Sequence, residues 1–222
     1  MRKLNLSISE SNLINLVKSQ LNVYFPDQHE IDFKILQHCV KNGLYRIRKC
    51  FDPILLKYYG QGGESFFNHL HGDQYAMFLY FLSNEAYLAN DETLASKLFL
   101  LNKSLFGIDA FYSIKLPVHF LFVHPLGTVL GNANFGDFFV VYQGVTIGST
   151  TTGIYPTFSS STILYSNSSI IGDCHTKENF VLGANASLVN THVLANKVVV
   201  GSFPNHKILE NKNKLISNYF KL

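Results

Sequence analysis

Residues 164–200 read LYSNSSIIGDCHTKENFVLGANASLVNTHVLANKVVV, and every sixth position is Leu164, Ile170, Thr176, Leu182, Leu188, Leu194 and Val200. All but Thr176 are aliphatic, and glycine follows Leu182 and Val200. A period of six matches neither a helix, at about 3.6 residues per turn, nor a strand, at about two. It predicts a hexapeptide solenoid, whose coils are triangles of three short strands around a column of inward aliphatic residues.

The same spacing continues upstream in Ile108, Ile114 and Phe120, and again in Val129, Phe135, Val141 and Ile147. Two breaks interrupt it, one between Phe120 and Val129 and one between Ile147 and Leu164. Insertions in a solenoid leave the stack as loops, and such loops often build the binding face. The first break carries His124 and the second carries residues 148–156, GSTTTGIYP, so chemistry is expected there.

The first hundred residues follow a different rule. Ser9 or Ser11 can cap a helix through Leu13, Leu16, Val17 and Leu21, with Pro26 beyond its end. A second helical pattern starts near Ile31 and runs through Ile35, Leu36, Cys39 and Val40. Gly43 is expected to interrupt it before Leu44, Ile47 and Phe51 resume the spacing. Gly60-Gln61-Gly62-Gly63 is a breaker. Two more apolar helices are expected at about Gln74–Ala89 and Glu92–Phe106. The fold class is therefore α+β: an all-helical domain over 1–106, a parallel β-helix of about five coils over 107–203, and a polar C-terminal tail over 204–222.

With 222 residues, 47% of them hydrophobic, the chain is long enough for two modest cores. A net charge of +3 without a long basic run gives no case for nucleic acid, and Lys41, Arg46, Arg48 and Lys49 read as a solvated helix face. Three cysteines (Cys39, Cys50, Cys174) without metal-ligand spacing suit a reducing compartment. The start, Met1 to Ser7, lacks the apolar run of a signal peptide, and no apolar stretch reaches membrane length. A cytoplasmic location is the expectation.

Val123-His124-Pro125-Leu126-Gly127-Thr128-Val129-Leu130-Gly131, followed by Gln143-Gly144-Val145-Thr146-Ile147-Gly148, resembles the active-site segment of the serine acetyltransferases. Ile170 to Asp173 and Val181 to Ser187 resemble their downstream coils, and Asp73-Gln74-Tyr75 resembles the Asp-x-Tyr at their helical-domain boundary. The resemblance spans about residues 70–204. It implies a left-handed β-helix, homotrimers or dimers of trimers, and acetyl-CoA as co-substrate in a groove between neighbouring subunits.

The chemistry also follows from residue types. An alcohol is a weak nucleophile at neutral pH, and an imidazole can take its proton while the oxygen attacks a thioester. His124 is the candidate general base, with Asp73 orienting it or binding the acceptor; the alternative for Asp73 is a helix N-cap. Backbone N–H groups near Gln143 and Gly144 are candidate oxyanion donors. Gln143 and Tyr155 are expected at the acceptor, and Gly148, Gly183, Ala184, Ser202 and Lys207 along the donor.

Two positions depart from the resemblance. Serine acetyltransferases carry an aspartate before the catalytic histidine, here Val123, and a second histidine before the loop proline, here Tyr155. Valine cannot pair with an ammonium group, and a neutral phenol is no carboxylate-binding cation. The expected activity is thus acetyl-CoA-dependent O-acetyl transfer to a hydroxyl, with a carbohydrate of a surface polysaccharide or its precursor preferred. Serine O-acetylation and a non-catalytic assembly scaffold are the alternatives. No metal is expected, because no histidine pair shows the close spacing of zinc-dependent solenoids. His175 and His192, seventeen residues apart, are nevertheless expected on related edges.

Overall fold

The computed structural model describes residues 1–61 and 63–222; Gly62, within the expected breaker, lies outside them. The chain divides into two compact units, Met1–Ser113 and Ile114–Leu222.

The first unit contains the helices α1 (Glu10–Tyr24), α2 (Phe33–Phe51), α3 (Gly72–Leu88) and α4 (Glu92–Phe106). Ser9, not Ser11, is the N-cap of α1, its hydroxyl accepting from Asn12 N–H at 3.2 Å. Asp32 and Asp91 cap α2 and α4 in the same way. A small sheet accompanies the helices, with β1 (Leu4–Leu6) parallel and β2 (Gly60–Gln61) antiparallel to β3 (Glu64–Phe67). The two-residue strand β4 (Asp109–Ala110) follows α4.

Gly43 does not interrupt α2. A Cβ there would stand 2.6 Å from Leu82 Cδ1, so the glycine lets the Leu82 side chain of α3 pack directly against the α2 backbone. The close helix packing offsets a propensity cost of about 1 kcal/mol. Helix α3 is the centre of this unit, with residues 74–84 all buried. The basic stretch is only partly a solvated face. Arg46 pairs with Glu85 at 2.8 Å and lies over Phe81, and Arg48 Nε donates to Arg2 O at 2.9 Å. No described helix is long and apolar enough to cross a membrane.

The second unit is a parallel β-solenoid with three faces. The first face stacks β5 (Phe120–Val123), β7 (Phe139–Tyr142), β10 (Thr162–Leu164), β13 (Phe180–Leu182) and β15 (Lys197–Val200). The second stacks β6 (Val129–Leu130), β8 (Thr146–Gly148), β11 (Ser169–Ile171) and β14 (Ser187–Val189). The third consists of β9 (Thr157–Phe158) and β12 (His175–Thr176), extended by bridges from Asn134 to Thr157 and from Thr176 to Val193.

Each face contributes at least one inward column. Phe122, Val141, Leu164, Leu182 and Val199 form the first, and Leu130, Ile147, Ile170 and Leu188 the second. Phe158, Thr176 and Val193 continue the third. All of these residues are buried. The six-residue comb therefore holds from Leu164 to Leu188 and then slips. Leu194 is 72% exposed and Val200 36%, while Val193 and Val199 take the inward places. The reason is the register: β11 and β14 pair eighteen residues apart, whereas Thr176 and Val193 pair seventeen apart. One residue has been lost from the turn after β14. Val129 is likewise outward, with Leu130 inside.

Corners are turned by residues in the left-handed region, among them Asn167, Asn179, Asn185, Asn190 and Asn196, the side chain least penalised there after glycine. The C-terminal segment is more than a polar tail. Strand β16 (Lys207–Glu210) folds back antiparallel on β15, and beyond it Ile216 and Phe220 are buried. Phe220 packs edge-on against Phe138, and Tyr219 Oη meets Tyr142 Oη at 2.6 Å. The run of Asn and Lys at 211–214 concealed these apolar and aromatic residues.

Candidate active site

His124 follows β5 at the corner leading from the first face to the second, and it is exposed. Continuing the strand registers past their ends aligns His124, Gln143, Ser166, Ala184 and Gly201 in one column, one residue per coil. At about 4.8 Å between strands, three coils place Ala184 about 14 Å from His124. The next register position holds Pro125, Gly144, Asn167 and Asn185. The last three are left-handed, at φ +67°, +57° and +58°. Proline cannot enter that region, so in the first coil the left-handed conformation moves back onto His124, at φ +49°. Pro125 thus fixes an unusual backbone setting for the histidine.

The turn bearing His124 is braced. Leu126 N–H donates to His124 O at 2.7 Å, and Gly144 N–H donates to Leu126 O at 2.9 Å. Buried Thr128 donates its hydroxyl to Tyr142 O at 2.7 Å, which ties this turn to the next coil. Because Gly144 N–H is already committed, it is not an oxyanion donor, and that expectation is corrected. Gln143 is half-buried, and its Oε1 is buried with no hydrogen-bond partner among the described residues. An unmet buried acceptor costs about 1–3 kcal/mol.

The outward column beside this one holds Val123, Tyr142, Tyr165, Gly183 and Val200. Tyr142 and Tyr165, their rings tilted by 41° with centroids 5.1 Å apart, give way to Gly183, where a Cβ would stand 3.1 Å from Val199 O, and Ala184 beside it is exposed. Burial pushes the Tyr142 phenol up, and both it and Tyr219 stay neutral, serving as hydrogen-bonding groups and not as bases. Ser202 donates its hydroxyl to Asn185 O at 3.2 Å on the adjoining coil, and exposed Lys207 opens β16 opposite Val200.

Two expected residues lie elsewhere on the solenoid. Gly148 ends β8 on the second face, in register with Ile171. Tyr155 sits one corner on from His124, its ring lying where a Cβ on Gly131 would come within 2.5 Å of Cε1. Within one chain, therefore, the His124 and Tyr155 side chains occupy different corners.

Asp73 belongs to the helical unit. It stands in the first turn of α3 and is half-buried; the N-cap is His71, so Asp73 does not fill that role. A carboxylate there is favoured by the helix dipole. Burial first, and the Asp73 charge second, push the Tyr59 phenol well up. Sequence reading missed Ser166, because a lone serine between aromatic and asparagine residues carries no signal without the register.

No protein-family profile matches the chain. Over 105 residues it is 30% identical to a serine acetyltransferase of Synechococcus elongatus, a match covering 46% of this chain and 43% of that protein. Among solved structures, the Neisseria gonorrhoeae serine acetyltransferase in complex with serine superposes with a TM-score of 0.68 at 22% identity, covering 90% of this chain and 84% of that one. The Brucella abortus strain S19 enzyme in complex with coenzyme A gives a TM-score of 0.68 at 16% identity, covering 93% and 84%. These identities speak for the fold alone. The chain carries the fold of the serine acetyltransferases, helices followed by a hexapeptide-type β-solenoid, and resembles one of them in sequence over about half its length.

Proposed function

We propose that this chain is an acetyl-CoA-dependent O-acetyltransferase with His124 as general base. The observation that supports it most is the corner column of His124, Gln143, Ser166, Ala184 and Gly201. It sets an exposed imidazole at one end of a strip of small residues that a pantetheine arm can approach. In the reaction, the imidazole takes the proton of the acceptor hydroxyl as its oxygen attacks the thioester carbonyl. The tetrahedral oxyanion collapses, the C–S bond breaks, and the imidazolium returns the proton to the departing CoA sulfur. The Gln143 side-chain amide is the nearest candidate to steady that oxyanion, in place of Gly144 N–H. Gly183, Ala184 and Ser202 line the donor path, and Lys207 lies where its phosphates can reach.

The comparisons favour L-serine as acceptor over the carbohydrate hydroxyl expected from sequence. One observation favours the carbohydrate: half-buried Val123 stands beside His124, where an aspartate would pair with an amino group. Tyr155 and Gly148 join this site if copies of the chain assemble so that one corner meets the other, as in a trimer with its groove between subunits. Thiol release from acetyl-CoA, measured with L-serine and with a panel of sugars, decides the acceptor. Turnover with serine and none with sugars supports the serine reading, and the reverse pattern overturns it. Calorimetry without any CoA binding overturns the enzyme reading and favours a scaffold.

A further inference from the structure

At the corner after the second face, Asp173, His175 and His192 bring one ligand atom each to within 4.8 Å of the others. His175 Nε2 lies 2.9 Å from Asp173 Oδ1, and His192 Nε2 lies 3.7 Å from Asp173 Oδ2. The two imidazoles meet edge to face, with centroids 4.7 Å apart at 67°. We propose that these three side chains form a binding site for a divalent transition metal of the zinc and nickel class, linking two successive coils.

The lost residue in the turn after β14 makes the cluster. Where β11 and β14 pair, partners are eighteen residues apart, but Thr176 pairs with Val193 at seventeen, which carries His192 directly beneath His175. With the eighteen-residue spacing, Val193 would stand there instead. The positions are held firmly. Asp173 N–H donates to Asn190 Oδ1 at 2.9 Å, His175 begins β12 in register with Thr157, and Thr191 N–H donates to the buried Cys174 Sγ at 3.4 Å. Cys174 is wholly buried and is not a ligand.

The donor set selects the ion. Two imidazoles and one carboxylate suit zinc, nickel or copper, whereas magnesium and calcium prefer oxygen. Tetrahedral zinc with bonds of about 2.0–2.1 Å separates its ligands by about 3.3 Å. The separations of 2.9 Å from His175 to Asp173 Oδ1 and 3.7 Å from His192 to Asp173 Oδ2, one to each carboxylate oxygen, lie on either side of that value. All three side chains are about half exposed or more, which leaves open positions for water and a route for the ion.

The test uses untagged full-length chain stripped with chelator and titrated with zinc chloride and nickel chloride by calorimetry. One ion per chain at micromolar or tighter affinity is expected, with a rise in melting temperature. His175→Asn with His192→Asn should weaken binding at least tenfold and abolish the melting shift, whereas His206→Asn, on the turn between β15 and β16 and outside the cluster, should change neither. Asp173→Asn, a milder change, should weaken binding several-fold. No binding, unchanged binding in the double variant, or equal binding of magnesium overturns the proposal. None of these readouts depends on acetyl transfer, so the site stands or falls separately from the proposed enzyme.

Discussion

Two corners of the same solenoid are built differently. The corner of His124 is turned by Gly144, Asn167 and Asn185 and lines up Gln143, Ser166 and Ala184 into an open strip. Gly144 there already stands where a Cβ would meet Asn167 Oδ1 at 2.2 Å, and at the next corner three glycines are confined in this way: Gly131, Gly148 and Gly172, with Ile147 O and Tyr155 at 2.5 Å, Ile171 Cδ1 at 2.7 Å and Asn190 Oδ1 at 2.2 Å. Small residues mean different things at the two places. At the first, exposed Ala184 and half-buried Ser166 keep the surface in line with His124 low; at the second the chain itself fills the space around each of the three glycines.

The largest expected effect lies at the first corner. His124→Ala should lower kcat by about 100- to 10,000-fold, the range for a lost general base, while calorimetric CoA binding persists. Full activity in that variant refutes the mechanism and with it the functional reading of the open strip. Next, Ala184→Phe should raise the KM for acetyl-CoA by roughly tenfold or more, because the ring occupies the donor path without entering the core. An unchanged KM would place the donor elsewhere.

At the crowded corner the effect should fall on stability. Gly131→Ala meets Ile147 O and the Tyr155 ring, and overpacking of this kind costs about 1–3 kcal/mol in urea denaturation. Gly153→Ala, in the exposed loop between β8 and β9 at the same corner, meets nothing within 4 Å and should cost only about 1 kcal/mol, from its φ of +80° alone. Equal losses would mean that the crowding at Gly131 relaxes freely.

The smallest effect concerns pH. Burial pushes the Asp137 carboxyl up, but hydrogen bonds from the His119 ring at 2.7 Å and its N–H at 2.8 Å outweigh this and hold it below the ordinary carboxylate value. A depressed carboxyl stabilises the fold above that ordinary value, and the contribution fades as pH falls through the folded one. Asp137→Asn should therefore lower stability modestly at neutral pH and flatten its loss in acid, with partial exposure limiting the size.

Much of this architecture was legible because a period of six has few explanations. Leu164 to Leu188 announced the solenoid, and Glu92–Phe106 was read to the residue. The slip after Leu188 was hidden because Leu194 and Val200 are aliphatic too, so a comb running outward looks like one running inward. Gly43 was misread because a propensity argument cannot see Leu82 across the helix interface. His124 stood out by its neighbours, but its distance from Tyr155 depends on which way an insertion leaves the stack, and insertion length carries no direction. Ser166 and the Asp173, His175 and His192 cluster depend on register between coils, which becomes visible only when strands are paired.

Strand β16 has a consequence of its own. A stack of parallel strands has no intrinsic last member, since each finished coil offers the next one an identical row of unpaired amides and carbonyls. By reversing direction against β15, with Lys207 and Glu210 at its ends, β16 gives the first face a short, charged edge in place of another parallel rung. Removing it would bare the apolar edge of β15, a template on which a second copy's strand can settle.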